Sequence, residues 1–163
     1  MSGELFNKQE IMSRIEHHLQ KLDQNKLQHV EHVLASLEAS KNDEMHYFGK
    51  FLGVRKQGAE MIMDLGIQHE NTYGVVQGGA LYSLVDIAIG FMILEKVKEE
   101  EKVYTLELKL NFIKKGEGSK LMAHPRILQW GSRIVIAECT VTDDENDLVA
   151  QGLGTFYISK PRA

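Results

Sequence analysis

The sequence predicts an α+β fold in which an antiparallel sheet wraps one buried helix, with a helical extension in front. Three observations predict it. Glycine is divided unevenly: only Gly3 lies in the first 48 residues, and the other 13 of the 14 lie from Gly49 onward. Glycine weakens helices and punctuates turns, so the first stretch reads as helical and the rest as turn-rich. The longest apolar run, Ala80 to Leu94, is apolar on almost every side, and such a helix must be wrapped on every side. After it come strand-like segments joined by short turns, which favours antiparallel pairing.

The extension covers residues 1–47 and the body residues 48–163. Ile11, Ile15, Leu19 and Leu22 recur at helical spacing, and so do Leu27, Val30, Val33, Leu34 and Leu37. Asp23-Gln24-Asn25-Lys26 breaks the phase, which implies a kink or two short helices. In the body, 51–55 and 60–67 read as strands and 68–79 as a polar loop. A helix is expected over 80–98. Val103 to Ile113 is the clearest strand, with Leu106, Leu108, Leu110 and Phe112 alternating with Glu107, Lys109 and Asn111. Further strands are expected over 120–129, 132–142 and 148–158. Pro125 within one of them implies a bulge or an edge position.

Composition excludes several classes. The net charge of −4 gives no basic field for nucleic acid or an anionic membrane. No apolar stretch reaches the roughly 20 residues that span a bilayer. The start MSGELFNKQE has neither a signal-peptide nor a presequence pattern, so a soluble, cytoplasmic protein is expected. One cysteine, Cys139, allows no internal disulfide framework and reads as packing. His29 and His32 share a helix face, but no third ligand is placed, so no metal is expected.

Three features with chemical potential meet at the central helix. Gln77-Gly78-Gly79 opens it, where free N–H groups and the positive end of the dipole suit an anion or a polarised carbonyl oxygen; a plain tight turn is the alternative. Asp86 sits in the least polar part of the chain, where a carboxylate needs partners. Burial would favour a general base or nucleophile, and a structural carboxylate is the alternative. Asn71 lies in the approach loop, where its amide either orients a water or carbonyl or simply makes a turn. Asp86 is eight residues past Gly78, about 12 Å along one helix. If both act on one substrate they must come from two chains, across a two-fold interface.

The spacing Asn71, Gly78-Gly79, Asp86 within NTYGVVQGGALYSLVDIAIG resembles the signature of hotdog-fold acyl-CoA thioesterases of the PaaI-like branch. TLELKLNFIKKG, the WGSR turn and LVAQGLGTFYI resemble the same family, and the match covers about residues 48–159. The resemblance implies a hotdog fold, homodimers or dimers of dimers, acyl-CoA as substrate and no cofactor. It also implies roles. Gly78 N–H polarises the thioester carbonyl, Asp86 of the facing chain acts as base or nucleophile, Asn71 positions water or carbonyl, and Thr105 assists the carboxylate. Gln77 stands where the family usually has His, and Gln cannot titrate near neutrality. Gly79 and Tyr82 are expected to line the substrate site, with Leu81 and Phe91 as further walls. Lys114, Lys115 and Arg133 are where a nucleotide phosphate is expected. An acyl-CoA sensor without turnover is the competing reading. A dehydratase is weaker, because no His partners Asp86 on the helix.

Overall fold

The computed structural model describes residues 7–41 and 43–161. Two helices lead, α1 (Lys8–Leu19) and α2 (Gln24–Ala39). The phase break therefore resolves into two helices, and Asp23 caps the second through its carboxylate on the Lys26 N–H, 3.0 Å. Asn7 and Glu10 form a reciprocal capping box at the start of α1. No described residue of α1 is buried, and α2 buries only Ser36. His32 is taken up by the fold: its Nε2 lies 2.8 Å from the Phe51 carbonyl.

Phe51 does not begin a strand. It closes a short helix, α3 (Tyr47–Phe51), whose start is capped by His46 Nδ1 accepting from the Gly49 N–H. The chain then reverses through Gly53 at φ 64°, where a side chain would be strained, and β1 (Val54–Gln57) follows. β2 (Glu60–Asp64) is shorter than expected, because Gly66 leads into a single 3-10 turn, Ile67–His69. The central helix, α4 (Gly78–Leu94), starts at the two glycines and stops before Lys98. β3 (Lys102–Phe112), β4 (Lys120–Trp130), β5 (Ile134–Thr142) and β6 (Leu148–Ser159) complete one six-stranded antiparallel sheet, ordered β1-β2-β4-β5-β6-β3. This is a hotdog fold.

The core lies between the sheet and α4. Leu84, Val85, Ile89 and Ile93 of the helix are fully buried beside Met63, Leu121, Val135, Val141 and Phe156. Gly152 lets the two layers meet, since a Cβ there would stand 2.8 Å from Val85 Cγ1. Cys139 is packed in this core, and burial pushes its thiol up to about 12. Pro125 pairs with Cys139 on β5, while β2 pairs with β4 only as far as Ala123, so its missing N–H faces the open side.

The expectation of a fully wrapped helix needs correcting. Eight residues of α4 are buried, but Ser83, Asp86 and Gly90 are half-buried and Tyr82 and Leu94 are exposed. The sheet ends at β3 and has no further strand to close this flank.

His69 fastens the approach loop. It is 1% exposed, and its Nε2–H donates to the Leu52 carbonyl at 2.9 Å. A carbonyl only accepts, so Nε2 carries the hydrogen and Nδ1 accepts from the Gly66 N–H at 3.0 Å. The His69 carbonyl in turn accepts from the Gln77 N–H at 2.6 Å. Burial holds the imidazole below its ordinary value of 6.5. The unfolded chain therefore takes up a proton that the folded chain resists, and stability falls as pH drops below about 6.5. We predict that His69→Phe removes this pH-dependent loss. At pH 7.5 it costs about 1–3 kcal/mol, because the Leu52 carbonyl and Gly66 N–H lose their partner. Urea unfolding at several pH values checks both effects.

Candidate active site

The N-terminus of α4 presents two free donors. The Gly78 and Gly79 N–H groups have no acceptor among the described residues, whereas the Ala80 N–H is taken by the Gln77 carbonyl at 2.9 Å. These donors and the helix dipole favour negative charge on an oxygen placed there. A Cβ on Gly79 would meet only Gln77 Cγ, at 4.0 Å. Gly78 lies under an aromatic ring: a Cβ would stand 3.2 Å from Phe112 Cζ. Gly78, Phe112, Val76, Leu81 and Ile113 line a cavity of about 370 Å³.

Gln77 is exposed and makes no side-chain cap, so its amide is unengaged among the described residues. Asn71 builds the loop instead of pointing its carbonyl outward. Its Oδ1 accepts from the Tyr73 N–H at 2.8 Å and the Val75 N–H at 3.4 Å, which leaves only its NH₂ for other work.

Asp86 has the partner that its apolar surroundings demand. Thr105 Oγ1 donates to Asp86 Oδ1 at 2.6 Å. The carboxylate is half-buried, not enclosed, in a single chain. Strict alternation along β3 would put Thr105 on the outer face with Glu107, opposite Leu108 and Leu110. A β-bulge corrects this. Thr105 pairs with Phe156 and Glu107 with Thr155, so Leu106 is the extra residue. Thr105 thereby joins the face of Leu108, Leu110 and the buried Phe156, which is the face that meets α4.

Tyr82 bridges helix and strand: its hydroxyl donates to the Leu108 carbonyl at 2.7 Å, and its ring is 6.5 Å from that of Phe112. Sequence reasoning missed Phe112 as a site residue. Its signal was the alternation that places it last on the inner face of β3, directly before the cavity. Phe91 lies elsewhere, beside Glu44 and Leu94 in a hollow at the far end of α4.

The basic residues are already engaged. Lys114 Nζ contacts Asp147 at 2.7 Å and Asp143 at 2.9 Å, and these carboxylates hold its ammonium above its ordinary range. Lys115 pairs with Glu117 at 2.7 Å. Arg133 donates to the Tyr157 hydroxyl at 2.9 Å, remote from Lys114 on the β4–β5 turn.

A mid-helix carboxylate paired with a strand hydroxyl, and glycine donors eight and seven residues earlier on the same helix, is the geometry with which to compare known proteins. Residues 73–150 match the profile of the thioesterase superfamily. The matched stretch is just under half of the chain. A relative from Saccharolobus solfataricus is 33% identical over 87 residues, covering 52% of this chain and 56% of its own. The medium/long-chain acyl-CoA thioesterase YigI of Escherichia coli is 21% identical over 97 residues, 52% of this chain and 63% of YigI. The chain thus spans less than two thirds of either relative. The crystal structure of the BH2602 protein from Bacillus halodurans with CoA superposes with a TM-score of 0.83 at 23% identity, covering 91% of this chain and 99% of that one. That likeness concerns the fold.

The Tyr82 tether generates a stability prediction. Tyr82→Phe removes the tether to Leu108 and lowers the unfolding free energy by about 1 kcal/mol in urea titration. A change below about 0.3 kcal/mol would mean that water replaces the bond fully.

Proposed function

We propose that the protein is an acyl-CoA thioesterase, hydrolysing a thioester to a free acid and CoA. The Asp86–Thr105 pair carries this reading, because a hydroxyl that donates to one carboxylate oxygen leaves the other to act as base or nucleophile. The thioester oxygen accepts from the Gly78 N–H, and the negative charge that develops there is stabilised by the α4 dipole. Asp86 of the facing chain then activates water or attacks the carbonyl carbon itself. The naming of YigI as an acyl-CoA thioesterase and the CoA bound to the Bacillus halodurans neighbour support the substrate class.

The two-chain arrangement follows from the unfinished flank of α4. β3 is an eleven-residue edge strand, and its Tyr104 and Leu106 are 50% and 59% exposed. Long exposed apolar edges are templates for pairing. Pairing two copies along β3 covers them and brings the Asp86 of one chain toward the Gly78 of the other. Residues 1–47, which include α1 and α2, are then an appendage outside the catalytic body.

Thiol release from a panel of acyl-CoAs tests the reading. Asp86→Ala is expected to lose about a thousandfold in kcat, and Thr105→Val about tenfold. Unchanged activity in Asp86→Ala would remove Asp86 from the mechanism. A single turnover in ¹⁸O-water, followed by mass analysis of the protein, separates nucleophile from base. Saturable binding without thiol release would favour the sensor reading, which Gln77 supports because it cannot replace a titrating His. Gln77→His is expected to give equal or higher activity.

Light scattering should give a dimer or dimer of dimers. Leu106→Lys should shift it toward monomer, with activity lost in parallel. A fully active monomer would defeat the shared site.

A further inference from the structure

Helix α2 has two apolar sides, and the fold uses one of them. On the first, Ser36 is buried and the His32 Nε2 sits 2.8 Å from the Phe51 carbonyl of α3. On the second, Leu27, Val30, Leu34 and Leu37 recur at spacings of three, four and three. Those are the a and d positions of a coiled-coil seam. Leu27, Leu34 and Leu37 are 41%, 58% and 44% exposed, and Val30 is half-buried. Single exposed leucines are ordinary, but a line of them on one helix makes a patch. The charges beside the seam fit a second copy of the same helix. With Leu27 at a, Lys26 stands at g and Glu31 at the next e, the positions that face each other between parallel helices. Parallel copies of α2 thus set the Lys26 of each beside the Glu31 of the other. Antiparallel copies would bring Glu31 against Glu38, a like-charge contact. Lys26 touches Asp23 at 2.9 Å, but both side chains are more than half exposed, and such a pair holds weakly.

We infer that α2 is a docking surface for a second copy of this chain: two α2 helices pair in parallel through Leu27, Val30, Leu34 and Leu37, about a two-fold axis that runs along the seam. Pairing removes the exposed leucines of both copies from water at once. The seam is short, and so short a helix pair holds weakly alone. It therefore joins chains that another surface also holds. The sheet leaves room for that. α3 packs beside β1, and β1 and β3 are the opposite edges of the sheet. Pairing along β3 and pairing along α2 thus use separate faces of one chain, and together they link one dimer to another. The α2 pairing needs no thioester turnover, so it stands or falls apart from the thioesterase reading.

A disulfide trap on the full chain tests this pairing. In a parallel two-fold pair, position 34 of one copy meets position 34 of the other. The one natural cysteine, Cys139, is buried and does not compete. Under mild oxidation Leu34→Cys is expected to form linked pairs about tenfold or more faster than Gln28→Cys, which is also exposed but lies away from the seam. Both substitutions fall on exposed sites, so melting temperatures within a few degrees of the wild type are expected and confirm that the chains are folded. In the Leu34→Cys background, Lys26→Glu and Glu31→Lys should each slow linking by about threefold, and the two together should restore it. High salt should shrink these differences. Equal linking rates for Leu34→Cys and Gln28→Cys would overturn the pairing and leave this face to a different occupant. Linking that the double charge reversal fails to restore would overturn the parallel register.

Discussion

An α-helix with almost no polar side constrains everything built around it. α4 exposes so little that charge on its surface is confined to Asp86, and its apolar length exceeds what one layer can cover from one side. A curled sheet solves most of this. β2, β4, β5, β6 and β3 each touch the helix, and glycine at 152 removes the side chain that would hold them apart. The solution is incomplete at β3, and the Asp86–Thr105 pair lies at that gap. The same apolar confinement that makes Asp86 costly makes its hydroxyl partner necessary.

The fold was legible because its strongest signal is a composition of side chains along one helix. Glycine-free helices, a helix apolar on nearly every side and alternating strands each stand out without neighbours. Element ends were less legible. Phe51 has strand propensity, but His46 caps a turn of helix around it, and a capping contact is visible only when the side chain is placed. Leu65 to Ile67 continues the apolar pattern of β2, yet Gly66 and the inward pull of His69 end the strand.

The candidate site was legible as residue types and spacing, not as contacts. Gly78, Gly79 and Asp86 stand out in the sequence because each is unusual where it sits. Thr105 was reached only through family resemblance, since simple alternation assigns it to the wrong face. Asn71 shows the opposite limit: its amide oxygen is spent on the Tyr73 and Val75 backbone. Lys114 looked available for a phosphate because Asp143 and Asp147 lie about 30 residues away in sequence and approach it only through the β5–β6 turn.

The extra residue at Leu106 works as a phase shifter between two halves of one strand. Were pairing to run on regularly through it, each residue upstream would slip by one against β6, and Leu106 instead of Thr105 would lie opposite Phe156. A leucine would then face the helix at Asp86 in place of the Thr105 hydroxyl, while Val103 turned to the solvent. Which side of upstream β3 faces the helix is thus set by where the odd residue is absorbed, not by any one side chain. Deleting Leu106 would straighten the strand and still leave Thr105 opposite Phe156, so the strand carries the odd residue without needing its side chain.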